Sequence, residues 1–387
     1  MSGAPDRLFE GGTPTHLRAW CNLRASETRS VIRTAVLVGA IAWGPLAVFA
    51  LVQGHGQPFA IDFGVHARFL LAAPLLIAAE LVTGPRLGLI ARHFFDSGLV
   101  ATADATRFES AIVSTLQWRD SIWAEIAIIA LAYAIVIALV VWVPAREIPQ
   151  WHGTPDASGG AAGYSWAGWW HLAVSMPLLL MIGLAWAWRL VCWTRFLFRM
   201  TQIDLQLVPA HPDRAAGLKF VAYSLRAFAP IGFAIGVVAA GRLANEVFHY
   251  GESPLDHSAA VLFTCAAVLV AFAAPPFVFT HTLLDAWRRG VFEYGALADR
   301  IGQRFEAKWL SRKRRQDVDE SALESPDFSS TTDLYSIVSN AYAMRVAPID
   351  LMSMLALLAA TALPFAPVFA AAIPLEQILK GIAGLLF

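Results

Sequence analysis

The chain of 387 residues has little charge and only three cysteines. Charged residues make up 15% of it and apolar residues 57%, and the mean hydropathy is +0.55. These values exclude a disordered chain, a nucleic-acid binder with a basic surface and an ordinary water-soluble enzyme. The cysteines have no CxxC spacing, which argues against a zinc site or a disulfide framework. A polytopic membrane protein remains, with the lipid bilayer as its first partner.

The sequence also lacks the motifs of common enzymes. It contains no HExxH, no GxSxG, no Walker A loop and no DxxxD pair, and no evenly spaced histidine pairs of the kind that hold haem. We therefore predict no cofactor and no catalytic residue. A membrane enzyme with an unrecognised site of histidines and acids stays open as a third hypothesis, behind an ion pathway and a scaffold.

Seven apolar runs are each long enough for a helix to cross a hydrocarbon core, which takes about 20 residues. They predict an all-α bundle of about seven transmembrane helices. The runs are 34–53, 67–83, 122–143, 169–190, 227–248, 258–284 and 347–373.

Lysine and arginine placement predicts the orientation of the bundle. With the N-terminus inside, all but four of the 29 basic residues fall in inner segments, as the positive-inside rule requires. The C-terminus then lies outside. The predicted regions are a cytosolic segment 1–33, a six-helix membrane region 34–282, a cytosolic helix with a linker 283–346, and a seventh span with an interfacial helix 347–387.

A stripe of apolar residues continues the sixth span from Leu283 to Trp309 at steps of three and four. It predicts a cytosolic helix that packs on the chain's own inner segments or on a neighbouring subunit. The acidic, serine-rich stretch from Gln316 to Thr332 predicts a mobile linker. A basic run between them predicts contact with anionic inner-leaflet lipids; it comprises Arg312, Lys313, Arg314 and Arg315.

Three ionisable residues lie toward the inner ends of spans two, three and four, where burial in lipid is costly: Glu80, Glu125 and Arg189. One interpretation is a neutralising contact between helices. The other is a cation or proton site, since two neighbouring carboxyls raise the pKa of one of them. The glycine-rich run 232–241 in span five allows close helix approach and leaves a homo-oligomer open.

Polar residues also gather toward the outer side. Arg242 and Glu246 share a face of span five with Asn245 beside it, which predicts either a structural pair or an outer gate. Histidines and acids, the residue types that a metal or proton-sensing cluster uses, also lie here, with His249 and His257 as candidate metal ligands, although no pair shows tight ligand spacing such as i,i+4. The outer side holds His55, His66, His152, His171, His249, His257 and Asp62.

Pro275 and Pro276 predict a kink in the sixth span. His281 and Asp285 follow on one helical face, so a kink with a His–Asp pair is a candidate gate. The alternative is a packing accommodation.

The inner loop before span five is dense in special residues: His211, Pro212, Asp213 and Arg214. Asp213 is expected to cap the following helix, with a ligand or contact loop as the alternative. The segment HPDRAAGL, together with residues 344–348 and 373–380, resembles a family of bacterial polytopic inner-membrane proteins. The resemblance implies a bacterial membrane protein and no particular activity.

Two functions follow from these observations. The first is a channel or transporter for a small ion, with the proton as a candidate, lined by some of the charges in the spans. The second is a non-catalytic scaffold or accessory subunit whose inner segments hold a cytosolic or membrane partner.

Overall fold

The computed structural model describes residues 8–9, 28–142, 150–153, 163–310 and 326–372. These residues form helices and loops, with no strand among them. Seven helices are long and apolar enough to cross a membrane, as in a multi-pass membrane protein. The predicted all-α class and the number of spans are confirmed; which end faces which side stays a prediction.

Nine helices organise the described residues, and all except α3 and α8 are long and apolar enough to span. They are α1 (Thr28–Val52), α2 (Phe63–Asp96), α3 (Ala105–Arg119), α4 (Ile122–Trp142), α5 (Trp166–Thr201), α6 (Lys219–Tyr250), α7 (Ser258–Trp309), α8 (Pro326–Tyr342) and α9 (Leu351–Ala371).

Several spanning helices are longer than the apolar runs that predicted them. The run 67–83 was expected to end before Gly84 and Pro85, but α2 continues through both to Asp96. It continues because its later residues keep an apolar face in the core, including the buried Leu87 and Phe94. A search for long apolar runs detects the apolar part of α2 and misses this amphipathic extension.

The glycines of α6 allow neighbouring helices to approach closely. A Cβ atom on Gly236 would lie 2.2 Å from the carbonyl oxygen of Thr361 in α9. A Cβ atom on Gly241 would lie 2.3 Å from the Cβ of Ala67 in α2. The small-residue run that left a homo-oligomer open is therefore used inside the chain, and it no longer supports contact between subunits.

Helices α7 and α8 form an antiparallel hairpin. The rings of Trp309 and Phe328 lie 5.2 Å apart, and the hydroxyl of Tyr335 lies 2.9 Å from where a Cβ on Gly302 would stand. The apolar stripe of α7 thus packs on the chain's own α8, which confirms the first of the two predicted alternatives.

The prediction of a mobile linker is wrong for residues 326–332, which begin α8. The sequence of this segment is polar, and its composition therefore gave no sign of a helix. One face of α8 nevertheless packs on the chain, through Phe328 and the buried Thr331, Val338 and Ala341. The rest of that linker, the basic run 312–315 and the interfacial helix expected over 374–387 lie outside the described residues.

Candidate functional site

Asp62 is the centre of a buried polar cluster at the beginning of α2. Its carboxylate caps the helix by accepting from the Val65 amide at 3.0 Å. It also accepts from the Trp151 Nε1 at 2.9 Å and from the Asn245 Nδ2 at 2.8 Å. One carboxylate therefore joins α2, α6 and the segment 150–153. We call Asp62, Arg68, Trp151, His152, His171 and Asn245 the Asp62 cluster.

The surroundings of Asp62 favour its ionised form. Burial alone would raise the pKa of the carboxyl, but the hydrogen bonds from Asn245, Trp151 and Val65 and the charge of Arg68 lower it below its usual value. Arg68 is half-buried, and its Nε donates to the carbonyl of Gly64 at 2.9 Å. The cluster thus holds a carboxylate and a guanidinium close to one another.

His152 and His171 lie together in this cluster, with ring centroids 4.5 Å apart. Both are buried, at 5% exposure each. Burial and, to a smaller extent, the charge of Arg68 lower the pKa of His152 to about 4. His152 is therefore neutral at pH 7.

The lowered pKa of His152 predicts a pH dependence of stability. The folded state binds a proton at His152 less readily than the unfolded state does. The contribution of neutral His152 to the free energy of unfolding is therefore complete above pH 6.5. It should decline as pH falls from 6.5 towards 4, by at most about 3 kcal/mol. Thermal unfolding in detergent across this range should show the decline, and His152→Phe should remove it. His55→Phe, at a half-buried histidine, should leave the decline in place; an unchanged profile in His152→Phe would contradict the assignment.

A second buried polar site joins α2 and α5 near the other end of the bundle. Arg189 Nη2 lies 3.5 Å from Glu80 Oε2, and both side chains are buried. The Arg189 guanidinium also lies over the ring of Trp186, whose Nε1 donates to the carbonyl of Leu76 at 2.8 Å. The contact expected between Glu80 and Arg189 therefore forms.

Glu125 does not join that pair, because the packing of α4 on α5 places it at another depth. Tyr133 Oη donates to the carbonyl of Ala173 at 3.1 Å, and Trp188 Nε1 donates to the carbonyl of Trp118 at 3.3 Å. These two bonds set an antiparallel register between α5 and the chain from α3 into α4. Glu125, eight positions before Tyr133, is then level with position 181 of α5.

At about 1.5 Å per residue, Glu125 lies about 12 Å along the axis from Arg189 and about 15 Å from His171. Its side chain is buried, its Oε2 has no hydrogen-bond partner, and it makes no ion pair with any described residue. On this register, a carboxyl group that pairs with no described residue lies between the Asp62 cluster and the Glu80–Arg189 pair. Of the three ionisable residues at the inner ends of the spans, Glu80 and Arg189 pair with one another, and Glu125 does not join them among the described residues.

Two other predicted pairs form on exposed surfaces. Arg242 and Glu246 approach to 4.0 Å, with the arginine side chain 83% exposed. His281 and Asp285 approach to 3.1 Å, also on an exposed face of α7. Both pairs lie on the surface of the described bundle, which favours the structural alternative for each over a gate. Among the residues of span five, Asn245 alone enters the Asp62 cluster.

The proline pair and the outer histidines have local roles. Pro275 and Pro276 lie in a 3-10 turn, Pro275–Phe279, within the otherwise continuous α7. His257 bonds Glu252 at 2.6 Å, whereas His249 contacts the carbonyl of Asn245. Within the described ranges, no three histidine, cysteine, aspartate or glutamate side chains form a group that could hold a metal ion.

The loop before α6 is organised by Asp213. Its carboxylate accepts from the amides of Ala215 at 2.8 Å, Gly217 at 3.1 Å and Lys219 at 3.1 Å. Burial would raise the pKa of Asp213, but these bonds and His211 lower it. The expected N-cap is wrong by position, because α6 begins six residues later, at Lys219; Asp213 still bonds the first amide of that helix.

This loop is strained and borders a cavity. Arg214 and Ala216 have φ values of 57° and 53°, in a region that disfavours residues with a Cβ atom. The cavity has a volume of about 330 Å³. Its polar lining residues include His93, Ser97, Gln206, His211, Asp213, Lys219 and Tyr223.

The sequence identified only some residues of the Asp62 cluster as candidate site residues. Asp62 and the histidines were expected on one side, but nothing in the pattern joined them to Trp151, 89 positions from Asp62 along the chain. An aspartate directly before a spanning helix was the available signal.

No protein-family model, curated protein or solved structure matches this chain. The resemblance to a bacterial inner-membrane family stays a prediction.

Proposed function

We propose that the protein conducts or transports a small ion across a bacterial inner membrane, with the proton as the first candidate. The observation that carries the proposal is the placement of buried ionisable groups on α2 and α5. Each helix contributes to the Asp62 cluster and, further along, to the Glu80–Arg189 pair. Ionisable groups buried in a membrane protein commonly mark ion pathways and proton relays.

The spacing of these groups fits the thickness of a membrane. Glu80 follows Asp62 by eighteen positions, and Arg189 follows His171 by the same number. A helix rises about 27 Å over this length, close to the hydrocarbon thickness of about 30 Å. With the N-terminus inside, the Asp62 cluster faces the outside and the Glu80–Arg189 pair faces the cytosol.

Glu125 is a further buried ionisable group, between the Asp62 cluster and the Glu80–Arg189 pair. On the register set by Tyr133 and Trp188 it lies between them along the bundle axis; it is buried, and its Oε2 has no hydrogen-bond partner among the described residues. Carboxyl and imidazole groups can bind and release protons. These properties favour the proton over larger cations.

Replacing Glu125 with glutamine tests the proposal. The substitution keeps the size of the side chain and removes the carboxyl group, so proton flux in proteoliposomes should fall to the level of protein-free vesicles. Glu109→Gln, at an exposed position of α3, should leave the flux unchanged. Equal flux in wild type and Glu125→Gln would contradict the proposal. Glu80→Gln is a less clean test, since it also breaks the pair with Arg189.

The scaffold hypothesis predicts a different outcome. It expects no flux under any gradient and a partner that is lost when residues 283–332 are deleted. The apolar stripe of α7, which suggested such a partner, is already covered by α8. Anionic inner-leaflet lipids and a homo-oligomer stay predictions.

A further inference from the structure

The ring nitrogens of the two buried histidines are the least satisfied polar groups of the Asp62 cluster. His152 Nε2 and both nitrogens of His171 have no hydrogen-bond partner among the residues that the structure describes. His66, in the same region, differs: its Nδ1 accepts from Trp43 at 2.9 Å and its Nε2 contacts the carbonyl of Ala60 at 3.1 Å. Both ring nitrogens of His66 are thus bonded within the fold, whereas no described residue bonds these three nitrogens of His152 and His171.

Packing does not account for these free nitrogens. His171 contacts the rings of Phe69 at 5.6 Å and Trp151 at 5.3 Å, and His152 contacts Trp151 at 4.3 Å. A phenylalanine would fill such aromatic surroundings equally well, without the cost of burying unpaired donors and acceptors. A polar group that is buried at a cost in folding free energy typically marks a functional position.

The charged and titratable groups around the pair come from α2 and α6 and from Tyr164, whose ring centroid lies 6.3 Å from that of His152. Asp62 and Arg68 belong to the beginning of α2, and Arg242 on α6 acts on Arg68. Trp151 connects the pair to Asp62 through its 2.9 Å hydrogen bond, and His66 lies on the same side of α2. Burial disfavours the charged form of His152, the guanidinium of Arg68 disfavours it further, and the carboxylate of Asp62 offsets part of this, so that the pKa of His152 is lowered and a protonated His152 releases its proton readily.

The backbone is unusual at the same place. Residues Ala67–Ala72 of α2 and His171–Ser175 of α5 are π-helical, and Phe69 and His171 are in ring contact between them. Single π-helical turns within α-helices occur frequently at functional sites. Two such turns facing one another are independent support for a site at this position.

We propose that His152 and His171 bind one proton between them and form the entrance of the ion pathway at the Asp62 end; this inference rests on the proposed function. An incoming proton forms an N–H bond at a free ring nitrogen. That ring then releases a proton from its other nitrogen to the second ring, so that the first ring returns to the neutral form and the second becomes the imidazolium. The second ring returns to the neutral form when it releases a proton onward along the pathway, and no electrons are exchanged. Two imidazoles without a third ligand among the described residues are short of what zinc requires.

The test is proton flux and thermal stability of His171→Phe in the full-length protein. Proton flux should fall by about 100-fold, the lower end of what a positioned proton-transfer group contributes. The melting temperature should stay the same or rise, because the substitution removes two unpaired buried nitrogens. His55→Phe, at a half-buried histidine of the same end, should change neither quantity.

The outcomes separate this inference from the proposed function. Wild-type flux that persists in His171→Phe would overturn the entrance and leave the ion pathway standing. A melting temperature lowered by several degrees would show that the nitrogens are bonded within the fold, and it would overturn the inference as well. Absence of flux in the wild type would overturn the proposed function and the entrance together.

Discussion

Replacing Gly236 with alanine should separate α6 from α9 and destabilise the bundle by about 3 kcal/mol, the upper end of the usual cost of overpacking. The added Cβ atom would lie 2.2 Å from the carbonyl oxygen of Thr361 and 3.1 Å from its carbonyl carbon. These are backbone atoms, so no side-chain rotation relieves the clash. The melting temperature in detergent measures the effect.

Gly183→Ala is the matched control. Gly183 lies in α5 with nothing within 4 Å of its added Cβ atom, so the change should stabilise the helix by about 0.5–1 kcal/mol. Opposite signs for two glycine-to-alanine changes would support the close approach of α6 and α9. Equal melting temperatures for Gly236→Ala and the wild type would refute it.

Replacing Asp62 with asparagine should cost about 3 kcal/mol, the value of a hydrogen-bonded charged group lost from a buried site. All three groups that bond this carboxylate are donors: the amide of Val65, Trp151 Nε1 and Asn245 Nδ2. The new amide nitrogen would face one of these donors, and Arg68 would lose its compensating charge. We expect a lower melting temperature and faster proteolysis near residues 150–153.

Asp256→Asn is the control for that change, because Asp256 is exposed and outside the spanning helices. The lowered pKa of Asp62 adds a pH signature. The contribution of the Asp62 carboxylate to stability is present above pH 3.8. It is lost as the pH falls through the lower pKa that Asp62 has in the folded state. An Asp62→Asn variant as stable as Asp256→Asn at pH 7 would count against the cluster as the anchor of this end.

The spans were predictable because lipid imposes one simple rule, a continuous run of apolar residues. The run 122–143 matches α4 to within one residue. The extension of α2 to Asp96 and the helix α8 follow amphipathic faces in polar sequence, where that rule does not apply. Gly236 shows a similar limit: the sequence predicts a close approach there, but only the folded chain shows that α9 is the partner.

The functional groups were predictable in type and less so in arrangement. Single charges in apolar runs identified Glu80, Glu125 and Arg189, since lipid makes such residues costly. The depth of Glu125 relative to Arg189 depends on the register between α4 and α5. Hydrogen bonds such as that from Tyr133 to the carbonyl of Ala173 set this register. The Asp62 cluster joins segments that are far apart along the chain, so neither composition nor periodicity could assemble it.

The central claim, that the bundle carries protons, is tested most directly by measuring proton flux through the purified wild-type protein. Proteoliposomes loaded with a pH-sensitive dye and given a potassium gradient with valinomycin would report proton entry driven by membrane potential. The account predicts a rate well above that of protein-free vesicles prepared in the same way. A rate equal to theirs would contradict it.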